Sequence, residues 1–178
     1  MKIKTLDSEK VFEGRVFDIR QDKVRLSNGR VANLDIIEHG GSVTILPLDN
    51  EDHIWFVCQY RHPAGEKILE LPAGTLEHGE DPLDCARREL REEIGMEAKI
   101  FKKIGEFFLA PGYSTEFMHV FLARNLFPAP LPRDEDEIIE IKRFPVEVAL
   151  EEAASGQILD AKTIAALFMA QEHITLTN

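Results

Sequence analysis

The strongest periodic signal along the chain is the recurrence of Leu83, Ala86, Leu90 and Ile94 at three- and four-residue spacing, which predicts an amphipathic helix. Asp81 suits its N-cap and Pro82 its first position, and Gly95 suits the left-handed residue that closes it. Upstream, residues 10–39 read as a small antiparallel sheet, with Val24-Arg25-Leu26 alternating and Asn28-Gly29 turning the chain. Beyond Gly40-Gly41, residues 43–48 and 54–60 read as apolar strands around a turn at 49–52. Two more strands are predicted at 98–109 and 117–123, on either side of the Pro111-Gly112 turn. Pro128, Pro130 and Pro132 make residues 125–133 a stiff exposed connection. A strand at 138–144 and helices at 146–155 and 160–170, the latter capped by Asp160, complete the chain. No internal repeat interrupts this order.

Charge changes the picture of the helix at 82–94. Glu89 and Glu93 lie one turn apart and Glu92 lies beside both, in an arc about a quarter turn from the apolar stripe. Like charges at this spacing repel by a few tenths of a kcal/mol. Acids in the last turn also oppose the helix dipole, at about 0.3–1 kcal/mol each. Arg88, one turn from Glu92, can orient it but cannot neutralise three acids. A solvated acidic face is the plain reading of such a run. Hard divalent cations such as Mg²⁺ or Mn²⁺ would relieve the repulsion and suit clustered carboxylates.

The wider spacing favours the metal. Gly74 is followed after five residues by Glu80, and after seven more by Arg88-Glu89-Leu90-Arg91-Glu92-Glu93-Ile94-Gly95-Met96. Seven Gly, Glu or Arg positions, each near ~5–7% usage, coincide by chance on the order of once in a million. Composition narrows the partners further. The 178 residues carry a formal charge of −11, which argues against a nucleic-acid polymer or an anionic membrane as partner, and 44% are apolar, enough for a core. Cys58 and Cys85 make neither a disulfide framework nor a zinc site and read as buried thiols. With no apolar run at the start and none of transmembrane length, a soluble cytoplasmic protein is expected.

The pattern from Gly74 to Met96 resembles the signature of the Nudix hydrolases at every position. The resemblance implies an α/β fold of Nudix type, an α/β/α sandwich around a mixed sheet, here with a small N-terminal antiparallel sheet. It also implies hydrolysis of a nucleoside diphosphate linked to another moiety. Mg²⁺, with Mn²⁺ as alternative, would be held by Glu89, Glu92 and Glu93 and by the backbone carbonyl matching Ala73, with Glu80 in a weaker supporting position. The expected division is a β-sheet module at residues 1–40, for dimerisation and base contacts, and a hydrolase domain at 41–178.

Gln59-Tyr60-Arg61, Leu69-Glu70-Leu71-Pro72-Ala73-Gly74 and a proline sixteen positions past Gly95, Pro111, resemble the ADP-ribose pyrophosphatase branch. Its Ser-Pro-Gly loop is matched by Ala110-Pro111-Gly112, with Ala110 in place of the serine. By this resemblance Pro111 and Gly112 border the substrate. Arg61 would grip the diphosphate through its planar fork, the alternative being a surface Arg at a strand end. Glu70 either accepts a ribose hydroxyl or forms a plain salt bridge. Glu137 of the acidic run 134–137, with Asp136 and Glu135 as rivals, would help activate water, and Glu116 would face the metals or the terminal ribose. Arg88 and Glu92 complete the expected catalytic set. Glu13-Gly14-Arg15-Val16-Phe17 matches the segment that crosses to the partner subunit, where Arg15 or Phe17 would stack on the base, unless Phe17 is dimer core. The implied reaction is Mg²⁺-dependent cleavage of ADP-ribose to AMP and ribose 5-phosphate by a homodimer. GDP-mannose and ADP-glucose are the alternative substrates, and a non-catalytic nucleotide-binding regulator is the alternative of a different class.

Overall fold

The computed structural model describes residues 2–133 and 138–174. Two compact units result, Met1–Gly41 with Phe108–Phe117, and Ser42–Phe107 with Met118–Asn178. The first unit therefore takes in the tip of a later hairpin as well as the N-terminal sheet.

In the first unit, β1 (Lys4–Glu13), β2 (Asp18–Arg25) and β3 (Val31–Glu38) form an antiparallel meander in that order. Gly29, at φ 84°, supplies the left-handed step of the turn between β2 and β3. Strand β1 begins before the residue-10 limit that hydrophobic alternation suggests. All ten of its residues are exposed, and it is held by its ladder to β2 from Lys4↔Arg25 to Glu13↔Asp18. The loop at 109–116 is tied to the end of β3: Ile37 N donates to Tyr113 O (2.8 Å) and Thr115 N to Ile37 O (2.9 Å).

The second unit is built on β4 (Ser42–Leu48), buried at every residue. The sheet runs β10 (Ile139–Pro145), β5 (His53–Arg61), β4, β9 (Phe117–Pro128), β8 (Met96–Phe108), with β6 (Glu66–Glu70) on β5 and β7 (Ala73–Thr75) on β4. Pairing is mixed: β4 is parallel to β9 and antiparallel to β5 and β7. Alternation sorts the side chains onto two faces. Val43, Ile45, Val57 and Phe121 pack with Cys85, Ala86 and Leu90 of α1 (Pro82–Glu93) and with its C-cap Ile94. Leu46, Leu48, Phe56, Val120 and Leu122 pack with Ala149 and Ala153 of α2 (Val146–Ala154) and with Ala166, Leu167 and Ala170 of α3 (Ala161–Ala170). Helices thus cover both faces, which is why β4 reads as a continuous apolar run. Cys85 is fully buried and Cys58 half-buried, and both are free thiols. Among the described residues no helix is long and apolar enough to cross a membrane.

Strands β6 and β7 carry no alternation of their own and exist because β5 and β4 offer them edges. The proline-rich stretch is also more than a spacer. Strand β9 extends to Pro128, and the residues beyond it cross the end of α1, where Leu131 N donates to Arg91 O (3.2 Å) and Ala129 N to Gly95 O (3.0 Å).

One buried hydroxyl ties α3 to the sheet. Thr163 Oγ1 accepts from Leu71 N (2.8 Å) and donates to Asp160 Oδ2 (2.6 Å). Thr163→Val keeps the shape but leaves the buried Leu71 N without its acceptor, so it should cost about 1–3 kcal/mol. Thr163→Ser should recover most of the loss, as read from urea midpoints.

Candidate active site

The loop from Gly74 into α1 is organised by two acids. Asp81 caps the helix by accepting from Leu83 N (2.8 Å), while Glu80 Oε2 accepts from Glu77 N (2.9 Å) and closes the turn before it. Gly79, at φ 80°, makes that turn possible.

Arg88 sits at the centre of the site. Its Nε and Nη2 form a bidentate pair with Glu80 (both 3.0 Å), and its Nη1 reaches Glu89 Oε1 (2.6 Å) and Glu92 Oε2 (3.1 Å). The paired Glu80 carboxylate, with Glu89 nearby, raises the Arg88 pKa, and Arg88 in turn holds the Glu80 carboxyl below its ordinary range. Glu89 is 8% exposed and Glu93 1%, unusual burial for carboxylates. Glu93 Oε2 accepts from Ala73 N (3.1 Å), which sets its carboxylate against the strand bearing the Ala73 carbonyl.

Gly74 explains itself sterically. A Cβ there would lie 1.9 Å from Glu89 Oε1, so only glycine lets β7 pass so close to that carboxylate. The dipole cost of acids in the last turn also has an answer, in Arg133. Its Nε and Nη2 donate to the carbonyls of Glu92 (3.0 Å) and Glu93 (2.7 Å) at the C-terminus of α1. No spacing rule linked Arg133 to this helix.

A second charged network lies at the end of β5 and β6. Arg61 pairs with Glu70 through Nε (2.6 Å) and Nη2 (2.8 Å). Lys162 Nζ reaches Glu70 Oε2 (2.5 Å) and Asp160 Oδ2 (3.0 Å). Glu70 is engaged in this ion pair with its side chain 3% exposed. Burial alone would raise its pKa, but Arg61 and Lys162 outweigh it and hold the carboxyl below the ordinary range. A cleft of about 360 Å³ opens here, lined by Arg61, Glu70 and Lys162 and by the apolar Pro63, Ile68 and Leu159. The Glu70 carboxylate raises the Arg61 pKa, with smaller contributions from the charges of Glu93 and Asp160.

The expected site residues therefore fall into groups. Ala73, Arg88, Glu89, Glu92 and Glu93 come together around α1, and Arg61 and Glu70 pair at the cleft. Arg15, Pro111, Gly112 and Glu116 belong to the first unit. There Pro111 and Gly112 are exposed at the loop tip, Glu116 N donates to Ser114 Oγ (3.1 Å), and Arg15 is exposed. Glu137, with its rivals Glu135 and Asp136, lies outside the described residues.

The donor set around α1 suits a divalent cation: hard carboxylate oxygens on largely buried side chains, with one guanidinium serving three of them. A separate trio, Asp49, Glu51 and His53, also brings metal-type donors within 4.8 Å of one another. Its acids are already engaged, since Arg143 Nη2 bridges Asp49 (2.5 Å) and Glu51 (3.0 Å) and Asp49 accepts from Glu51 N, His53 N and Trp55 Nε1. That trio acts as a clamp on the β4–β5 turn.

Comparison with known proteins bears on the same residues. Residues 38–167 match the family model of the NUDIX domain, and residues 3–33 match that of the nucleoside diphosphate sugar hydrolase N-terminal domain. An ADP-ribose pyrophosphatase of Bacillus subtilis (strain 168) is 41% identical over 166 residues, 92% of this chain and 90% of that protein. A methanol dehydrogenase activator of Bacillus methanolicus is 37% identical over 166 residues, with the same coverage of 92% and 90%. Among solved structures, an ADP compounds hydrolase aligns with a TM-score of 0.86 at 26% identity, covering 97% of this chain and 94% of that one.

Two outcomes follow from the geometry. Gly74→Ala should leave the protein folded but push Glu89 aside, weakening Mn²⁺ binding about tenfold or more, as titrated by calorimetry. Glu70→Gln leaves two cations facing a neutral amide, at a cost of about 3 kcal/mol at neutral pH. A carboxyl held below its ordinary 4.5 contributes stability that is complete above that pH and lost as pH falls through the lower folded value. The gap in urea midpoint between wild type and Glu70→Gln should thus be constant from about pH 6 to 8 and shrink in acid below that ordinary value.

Proposed function

The chain belongs to the Nudix hydrolase family, in its ADP-ribose pyrophosphatase branch, and we propose that it cleaves the diphosphate of ADP-ribose to AMP and ribose 5-phosphate. The observation that carries this reading is the pairing of two differently charged constellations in one unit. Around α1, the Arg88 guanidinium holds three carboxylates, Glu80, Glu89 and Glu92; at the cleft, Arg61 stands beside an acid already compensated by Lys162. The first favours a divalent cation and the second an anionic diphosphate.

In this reading Glu89 and Glu93 hold Mg²⁺, or Mn²⁺, with Glu92 and the Ala73 carbonyl assisting. When bound, the metal offsets the diphosphate charge and favours ionisation of an attacking water. Arg88 keeps Glu89 and Glu92 in place, and Arg61 orients the diphosphate through a forked contact. Glu116 or Glu137 takes the proton of water as it adds to one phosphorus and the bridging P–O bond breaks. Pro111 and Gly112 shape the loop that carries Glu116, and Arg15 stacks on the base.

A homodimer formed through the first unit is part of the same proposal. Val11, Phe12, Val16 and Phe17 are 40–55% exposed there, surface that a second copy would bury. The similarity to a methanol dehydrogenase activator favours one further reading, in which nucleotide binding or hydrolysis regulates another enzyme.

Turnover should be measured over ADP-ribose, ADP-glucose and GDP-mannose with Mg²⁺, scoring AMP, GMP and sugar phosphate. ADP-ribose should be cleaved fastest, and Glu93→Gln should lower kcat at least about a thousandfold with the fold retained. Preference for GDP-mannose would overturn the substrate assignment. Wild-type turnover by Glu93→Gln would overturn the metal assignment.

A further inference from the structure

We propose that Lys162, on the first turn of α3, is a positioning residue for the hydrolysis: it fixes Glu70 so that Arg61 presents its outer guanidinium edge to the diphosphate. This rests on the reading above that Arg61 contacts the diphosphate. Nothing in the signature or its branch features pointed to Lys162, which follows Glu70 by 92 residues.

The chemistry is that of a planar fork with two usable edges. Glu70 takes the Nε–Nη2 edge at 2.6 and 2.8 Å, so the edge bearing Nη1 is turned away from Glu70. That second edge matches a pair of phosphate oxygens. Arg61 can therefore serve Glu70 and a diphosphate together, provided Glu70 stays still.

Lys162 supplies that condition. Its side chain is 11% exposed, and its Nζ contacts both Glu70 and Asp160. Asp160 is itself fixed, because Oδ2 accepts from Thr163 N (3.0 Å) and Thr163 Oγ1 (2.6 Å). Glu70 alone with Arg61 would draw the guanidinium inward and compete with substrate for its charge. With Lys162 present, Glu70 is compensated twice, and engaging Arg61 with a phosphate leaves no buried carboxylate unpaired. The cleft lined by Arg61, Glu70 and Lys162 gives the diphosphate access.

The test is steady-state kinetics on the nucleoside diphosphate sugar turned over fastest, with thermal unfolding alongside. Lys162→Met should raise KM about tenfold while kcat changes less than about threefold, the signature of lost substrate positioning. Lys162→Arg should restore most of the affinity. Lys162→Gln keeps a donor for Glu70 and should fall between them, and it replaces the Met variant if that one melts below the assay temperature. In an Arg61→Ala background, Lys162→Met should add less than about twofold, because the residue it acts through is gone. An unchanged KM in Lys162→Met, or a full tenfold rise that persists without Arg61, overturns the proposal. An unchanged KM in Arg61→Ala alone sinks the diphosphate role of Arg61, and this proposal with it. If no substrate is turned over, the hydrolysis reading fails while the Kd of ADP-ribose by calorimetry still decides the proposal by the same comparisons.

Discussion

Arg88 directs its guanidinium at Glu80, Glu89 and Glu92, and so fastens the loop after β7 to α1. The rest of the site depends on this contact. Glu80 is bound on both oxygens, which closes the turn that delivers Asp81 to the helix N-cap. Glu89 is pulled against β7, where only a glycine at position 74 leaves it room. A lysine in place of Arg88 could not serve these partners together, because a point charge lacks the fork that spans them.

The hub concentrates carboxylates, three of them on the single Arg88 guanidinium. Glu80, Glu89 and Glu92 share the Arg88 guanidinium, and Glu93, almost fully buried like Glu89, lies one helical turn from Glu89. The cleft network is balanced instead, with Arg61 and Lys162 facing Glu70 and Asp160. A concentrated carboxylate cluster attracts cations, whereas a balanced network can lend the outer edge of an arginine to an anion. A protein of net charge −11 needs both to accept a phosphorylated substrate.

The helix that carries the hub was legible in the sequence because its signals are local. Asp81, Pro82 and Gly95 mark its ends within a residue, and the spacing of Arg88 and Glu92 implies their contact. The strands of the central sheet were legible for the same reason, through their apolar runs. Strands β6 and β7 were not, because an edge of β5 or β4 creates them rather than any propensity of Glu66–Glu70 or Ala73–Thr75. The burial of Glu89 and Glu93 was hidden too, since a carboxylate on a helix is solvated unless tertiary contacts cover it. Arg133 on the helix carbonyls and Lys162 on Glu70 join residues 40 or more positions apart. Single-sequence periodicity carries no information at that range. What the family resemblance added was the chemical role of residues, and it stopped at those matching its motifs.

The two networks are joined by very little chain. Glu70 ends β6 and Ala73 begins β7, and between them the backbone is fixed at both residues: Leu71 N to Thr163 Oγ1 at 2.8 Å, and Pro72 O to Ile45 N at 2.8 Å. Pro72 also removes one backbone torsion from the link. The Glu70 carboxylate that orients Arg61 and the Ala73 amide that orients Glu93 are thereby held at a set separation by β4 and α3. The proposed cleavage of a diphosphate at a metal site would demand such a fixed separation, since a misplacement of about 1 Å can cost a hundredfold in rate. The short link explains why α3, which carries none of the signature glutamates, is wired through Thr163 and Lys162 to the strand that precedes them.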